Sequence, residues 1–270
     1  WLELPENGAG YVVGWNEEQE TGKLWIATGE VEDFSDVDIV VEAVVEIPHV
    51  KKAVLGDIEK VCTPGTILTS NTSTISITSL AEDLEHPENF CGMYFFNPVH
   101  RMPLLEIIAT EKTSEQTIAT AVAFARQLGK MVIVVKDKEG FIVNRILLPY
   151  MNEAAYLFQE GVDTKHLDDI VKRFGMPMGP MELADEVGID VGYHVAHILE
   201  GAYGKRMRIA EILKTVYEAG MLGKKSGEGF YIHAGKHKTV SSNVQNMRGN
   251  TMFTLDDDVT LKRLVYIMIN

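Results

Sequence analysis

Residues 38–70 constrain the fold of this chain more than any other stretch. Asp38-Ile39-Val40-Val41-Glu42-Ala43-Val44-Val45-Glu46 is a nearly continuous β-branched run, the pattern of a strand buried on both faces of a parallel sheet. Pro48 stops it. Val50, Val54, Ile58 and Val61 then recur at helical spacing, Gly65 supplies a turn, and Thr66-Ile67-Leu68-Thr69-Ser70 makes a second buried strand. A strand–helix–strand unit closes as a parallel pair with a right-handed crossover, so both strands end at one edge of the sheet. Ligands of open α/β sheets bind outside that carboxyl edge. There the sequence places Glu46 and Asn71-Thr72-Ser73. On pattern alone these residues serve equally as turn and helix-cap chemistry or as a ligand edge.

The alternation continues. Ser76–Leu84 and Ser114–Leu128 read as helices, the second amphipathic with Ile118, Val122 and Ala125 on one face. Met131-Val132-Ile133-Val134-Val135 reads as a last buried strand. From Gly140 onward the pattern is helical almost throughout, with one long helix interrupted or kinked at Pro149 and running to about Glu160. The charged turn Lys136-Asp137-Lys138-Glu139 marks the change. The expected organisation is therefore a Rossmann-like α/β domain over residues 1–136 and an all-helical domain over 137–270. Residues 1–36 say least. Gly8-Ala9-Gly10 is followed by apolar Tyr11, Val12 and Val13, whereas a dinucleotide loop follows a strand, opens a helix and carries a third glycine.

Composition narrows the functions. The formal net charge is −14, which argues against a nucleic-acid backbone as partner. Two cysteines, Cys62 and Cys91, make neither a disulfide framework nor a four-cysteine metal site; they read as small core residues of a protein in a reducing compartment, and no metal is expected. No apolar run is long enough to cross a bilayer, and no charged-then-apolar leader opens the sequence. The expected setting is intracellular: a bacterial-type cytoplasm or an organelle matrix.

Phe90-Cys91-Gly92-Met93-Tyr94-Phe95-Phe96-Asn97-Pro98 is an apolar strand and a turn, and Leu104–Ala109 is a second apolar run holding a single carboxylate, Glu106. An ionisable group in an apolar layer needs a partner or a proton. This stretch resembles the catalytic segment of the L-3-hydroxyacyl-CoA dehydrogenases, most closely the dehydrogenase part of the multifunctional fatty-acid oxidation complex alpha subunits. In that family a His precedes Phe-Phe-Asn-Pro-Val, with a Glu downstream; here Tyr94 stands at the position of the His. Asn71-Thr72-Ser73-Thr74 resembles the family's Asn-Thr-Ser signature, and the interval from Ser73 to Tyr94 equals its Ser-to-His interval. Gly140-Phe141-Ile142-Val143-Asn144-Arg145, Gly175-Met176-Pro177-Met178-Gly179-Pro180 and Gly223-Lys224-Lys225-Ser226-Gly227-Glu228-Gly229-Phe230-Tyr231 match in order, so the resemblance covers residues 31–270.

The resemblance implies NAD-dependent oxidation of L-3-hydroxyacyl-CoA to 3-ketoacyl-CoA in β-oxidation, with NAD contacted by Val44, Val45, Glu46, Lys51, Ser73 and Asn97. It implies a catalytic pair at Tyr94 and Glu106, and acyl-CoA contacts at Ser73 and Asn144. It also implies a thiolase subunit or a second copy of the chain as partner. Positions 73, 94, 106 and 144 are expected to converge on one pocket. Tyr94 departs from the pattern in a way that bears on chemistry. A phenol with a reference pKa of about 10 is a poor base near neutrality, and a facing carboxylate makes it poorer. The glycine loop is not recognisable, and the chain stops in what reads as the first helix of a further repeat. Two other readings remain: a non-catalytic acyl-CoA binder or scaffold of the same fold, and a related dehydrogenase acting on a free β-hydroxyacid. Lys224 and Lys225 read as solvated lysines in a glycine-rich turn rather than a phosphate grip, and Met151, Met176, Met178 and Met181 as core filler.

Overall fold

The computed structural model describes residues 12–15, 25–27, 34–235, 237–248 and 256–269; Gly8 and Gly10 lie outside them. The chain divides into two compact units, Trp1–Phe141 and Ile142–Asn270.

In the first unit, strands β1 (Val12–Trp15), β2 (Trp25–Ala27), β3 (Ile39–Glu42), β4 (Ile67–Ser70), β5 (Phe90–Phe95), β6 (Leu104–Ala109) and β7 (Met131–Lys136) form one sheet in the order β2-β1-β3-β4-β5-β6-β7. Its centre, β3-β4-β5, is parallel. β6 returns antiparallel to β5, and β7 runs parallel to β6. This is a Rossmann-like α/β sheet with the expected crossover. Helix α1 (Pro48–Val61) starts with proline in its first turn, where no amide hydrogen is needed, and buries Lys51, Leu55 and Ile58. Helices α2 (Ile77–Leu80) and α3 (Glu115–Gln127) begin at Ser76 and Ser114, whose side chains accept from Ser79 N and Thr117 N. Alternate residues of each strand feed two apolar layers. Ile108 joins Phe90, Leu55, Ile58 and Ile77 on one face, and Leu105 and Ile107 join Met93, Ala121 and Phe124 on the other.

Two expectations need correction here. The first strand ends at Glu42 rather than Glu46, because the Glu42 carboxylate takes the Val44 N–H at 2.6 Å and so draws residues 43–47 out of the ladder. β7 is not buried: Met131 is 62% exposed and Val134 49%. It is the last strand of the sheet, paired on one side only, and its apolar run encoded an edge, which periodicity does not distinguish from a centre.

The second unit contains α4 (Val143–Gln159), α5 (Thr164–Phe174), α6 (Pro180–Val187), α7 (Ile189–Tyr203), α8 (Glu211–Glu218), α9 (Ser242–Met247) and α10 (Asp257–Ile269). Its core gathers Leu157, Phe158, Leu167, Val171, Met181, Ile212, Val216 and Phe230. α4 runs as one helix through Pro149 rather than breaking there. The unit is not wholly helical either. A hairpin of β8 (Tyr231–Ala234) and β9 (His237–Val240) was missed in the sequence, and buried carboxylates account for it. Asp185 accepts the backbone N–H groups of Phe230 and Tyr231, each at 2.8 Å, and pairs with His233 Nε2 at 2.9 Å. Asp168 accepts from Met181 N, Glu182 N and the Tyr231 hydroxyl, the last at 2.6 Å. Burial pushes both carboxyls above the usual carboxylate range, and these donors offset part of the shift. A Cβ at Gly179 would stand 2.2 Å from the Asp168 carboxylate, and one at Gly229 2.1 Å from Asp185 Oδ1. The glycine-rich motifs thus exist where a main chain passes over a buried acid. Lys224 and Lys225 are exposed and pair with Glu186 and Asp190.

Candidate active site

β5 sinks Phe90, Cys91, Gly92 and Met93 completely into the sheet, then emerges through half-buried Tyr94, Phe95 and Phe96 to exposed Asn97. β6 returns with Glu106, fully buried between Leu105 and Ile107. The register sets Tyr94 directly opposite Glu106, and residues directly opposite on antiparallel strands project from the same face. The Tyr94 ring packs on Phe96, 4.6 Å between centroids, and on Phe141 at 6.1 Å. Phe141 holds a left-handed backbone, φ 47°, and is itself buried. Such a conformation costs a non-glycine residue energy that its surroundings must supply. The phenol is thereby fenced by aromatic rings beside a carboxylate with no exposure to solvent.

A second group lies at the carboxyl ends of β3 and β4. Glu42 and Lys51 are both completely buried and form an ion pair of 2.9 Å. Glu42 Oε2 accepts from Ser70 Oγ at 2.6 Å. Lys51 Nζ also donates to Val44 O at 3.2 Å and Asn71 O at 3.1 Å. Outside this buried pair Glu46, 40% exposed at its side chain, lies 3.5 Å from Lys51 Nζ through Oε2. Its Oε1 accepts from Thr72 Oγ1 (2.6 Å), Ser73 N (2.9 Å), Ser73 Oγ (3.3 Å) and Thr74 Oγ1 (3.3 Å). Asn71 Oδ1 accepts the Phe95 N–H at 3.1 Å, which ties this edge to the strand position following Tyr94. After Asn97 the turn is pinned by Lys130 Nζ, which donates to the carbonyls of Val99 and Met102.

Of the residues singled out in the sequence, Val44, Val45, Glu46, Lys51 and Ser73 gather at the β3–β4 edge, and Tyr94, Glu106 and Asn97 belong to the β5–β6 hairpin. Asn144 stands half-buried in the first turn of α4, in the helical unit. Glu42, Ser70 and Phe141 were missed as organisers of the site, and Asn71, read as part of the ligand edge, also ties that edge to β5. Glu42 carries the signal that drew attention to Glu106, a lone carboxylate inside an apolar strand. The thiols are poor nucleophile candidates: burial pushes Cys62 up to about 11 and Cys91 up to about 12. A cavity of about 590 Å³ lies at the amino end of β4, lined by Lys52, Asp57, Lys60, Thr63, Glu85 and His86 among others, and shares no residue with either group.

The β3–β4 edge thus presents a partly exposed carboxylate, Glu46, among the hydroxyls of Thr72, Ser73 and Thr74. β1 pairs antiparallel with β3, Val12 opposite Glu42 and Trp15 opposite Ile39, so it ends away from this edge, and among the described residues no glycine-rich turn leads from a strand into a helix there.

The 3-hydroxyacyl-CoA dehydrogenase NAD binding domain matches residues 15–138, and the 3-hydroxyacyl-CoA dehydrogenase C-terminal domain matches residues 140–233. The fatty acid oxidation complex subunit alpha of Pseudomonas aeruginosa (strain LESB58) is 51% identical over 215 residues, 77% of this chain and 30% of that protein. The chain thus spans about a third of the length of the curated relatives it matches. The crystal structure of (S)-3-hydroxybutyryl-CoA dehydrogenase from Ralstonia eutropha superposes with a TM-score of 0.75 at 38% identity, covering 77% of this chain and 74% of that one. The 3-hydroxybutyryl-CoA dehydrogenase of Escherichia coli K12 gives 0.75 at 33% identity, covering 79% and 46%.

Proposed function

The chain belongs to the 3-hydroxyacyl-CoA dehydrogenase family, and on that premise we propose that it is the dehydrogenase portion of a fatty-acid oxidation protein. In this reading it interconverts L-3-hydroxyacyl-CoA and 3-ketoacyl-CoA with NAD. Val44, Val45, Glu46, Ser73 and Asn97 line the nicotinamide end of the cofactor, with Lys51 beneath them. Ser73 and Asn144 receive the acyl-CoA thioester. NAD, when bound, supplies the hydride acceptor.

The residues of the chain must then dispose of the hydroxyl proton. In the family pattern an imidazole accepts it, and a carboxylate behind stabilises the imidazolium. Here Tyr94 faces Glu106, and that pairing is the observation that carries the proposal. A phenol beside a carboxylate holds its own proton and donates it in a hydrogen bond, so it orients a substrate oxygen without accepting a proton efficiently at neutral pH. Slow turnover is the expected behaviour.

The test is oxidation of NADH with acetoacetyl-CoA, followed at 340 nm. The unaltered chain should show weak turnover or none, and Tyr94→His should raise it by at least about a hundredfold, the usual scale of a positioned general base. Turnover by the unaltered chain as fast as by the Tyr94→His variant would overturn the account of Tyr94. The same residue favours a second reading, a non-catalytic acyl-CoA binder. Calorimetry separates the two: an enzyme binds both acetoacetyl-CoA and NADH, a scaffold the thioester alone or neither. A thiolase subunit or a second copy as partner, and a cytoplasmic or matrix setting, belong to the same proposal. Among the described residues no helix is long and apolar enough to cross a membrane.

A further inference from the structure

We propose that Asp137 and Phe141 are positioning residues for the side chain at 94: the Asp137 carboxylate fixes a strained turn, and the turn holds the Phe141 ring against Tyr94. The proposal rests on the reading of position 94 as the place where the hydroxyl proton is handled. Phe141 carries the observation that calls for a role. A bulky residue at φ 47° is an outlier, and such strain persists only where the surroundings over-determine it. Its neighbour Gly140, at φ 76°, already supplies the left-handed residue that a tight turn needs. A glycine at 141 would relieve the backbone and lose the ring. The ring is what the strain secures. Buried in one cluster with Ile77, Phe90 and Ile108, it lies 6.1 Å from the Tyr94 ring, centroid to centroid, tilted by 54°.

Three attachments hold the turn. Asp137 N donates to Ala109 O at 3.2 Å, which extends the β6–β7 pairing one step past Lys136. Phe141 N donates to Lys138 O at 2.8 Å and closes the turn. Between them the half-buried Asp137 side chain reaches the start of α2, where its Oδ2 accepts from Ser76 Oγ at 2.8 Å and from Thr78 N at 2.7 Å. Hydrogen bonds to a carboxylate are stronger than those between neutral groups, so this is the firm end of the turn. Ser76 follows closely on the loop of residues 71–74, whose Asn71 Oδ1 accepts the Phe95 N–H. Position 94 is thus held from both sides by one chain of contacts: Asn71 fixes the backbone after it, and Asp137, through Phe141, fixes its ring.

The test uses the full chain labelled with 3-fluorotyrosine, the Tyr94 fluorine resonance being identified by its loss in Tyr94→Phe. Phe141→Leu should move that resonance most. Asp137→Ala should shift or broaden it, and Asp137→Asn, which keeps an acceptor oxygen, should do so less. The two Asp137 variants carry the test should Phe141→Leu not fold. A carboxylate that is merely structural would lower the denaturation midpoint and leave the Tyr94 resonance of the folded protein in place; that result would overturn the proposal. Kinetics in the Tyr94→His background give the second readout, with NADH and acetoacetyl-CoA. Phe141→Leu and Asp137→Ala should each lower kcat by about tenfold, the scale of a slightly misplaced reacting group, with KM for both substrates changing by less than about twofold. An unchanged kcat, or an effect confined to KM, would also overturn it. If Tyr94→His gives no turnover while the fluorine resonance responds as expected, the proposed function fails and the positioning of residue 94 stands.

Discussion

At the scale of single residues, three kinds of position fix what this chain tolerates. The first is the glycine beneath a close approach. A Cβ on Gly92 would lie 2.8 Å from both Ile108 Cβ and Ile77 Cγ1, and β5 cannot retreat because β4 and β6 flank it. Gly92→Ala should lower the unfolding free energy by about 1–3 kcal/mol in urea titrations, the range for overpacked cores; a neutral effect would show that the sheet yields more than its packing indicates. The second is the buried charge. Lys51→Met leaves Glu42 without its cation and should cost about 3–5 kcal/mol, most of which the added Glu42→Leu should restore. Equal losses in the single and double variants would contradict that account. The third is Tyr94, the position at which the proposed function sets the proton chemistry and which the strand register places opposite Glu106.

At the scale of elements, the helical unit is joined by acids that reach across sequence. Glu182 in the first turn of α6 accepts Lys172 from α5 and Lys238 from β9. Desolvation alone would raise its carboxyl, but the two lysines outweigh it and hold the group below its ordinary 4.5. A depressed carboxylate contributes stability that is present above the unfolded value and lost as pH falls through the folded one. The unaltered protein should therefore be more stable than Glu182→Gln at pH 7, with the gap closing as the pH falls below about 4.5. Denaturant midpoints across pH check this; a gap that persists at pH 2 would assign the effect to packing instead. Much at this scale was legible beforehand. Proline at the start of α1 and the serines ahead of α2 and α3 mark their helices, and the β-branched run before Pro48 marks β3. The exposure of β7 was not legible, because whether an apolar strand lies at the centre or the edge depends on what pairs with its far side. The β8–β9 hairpin was hidden for a related reason: its amides answer to Asp185, forty-five residues earlier in the chain.

At the scale of the whole molecule, a formal charge of −14 sets the long-range field. The chain should show no binding to a labelled DNA duplex by fluorescence anisotropy even at about 50 mM salt, where phosphate-driven association is strong. Saturable binding under those conditions would point to a basic surface that the sequence does not show. Two units, Trp1–Phe141 and Ile142–Asn270, each hold buried apolar clusters of their own.

The sequence by itself determined the parallel β3–β4 pair, the edge at which its polar loops collect and the motifs by which the family is recognised, because these depend on spacing and periodicity along a local stretch. Only the tertiary structure decided that Lys51 pairs with buried Glu42, that Glu42 rather than Glu46 ends the strand, and that conserving space over Asp168 and Asp185 is the work of Gly179 and Gly229. Those outcomes depend on which donor meets which acceptor across distant parts of the chain. A carboxylate in an apolar run announces that it needs a partner, and folding selects which one.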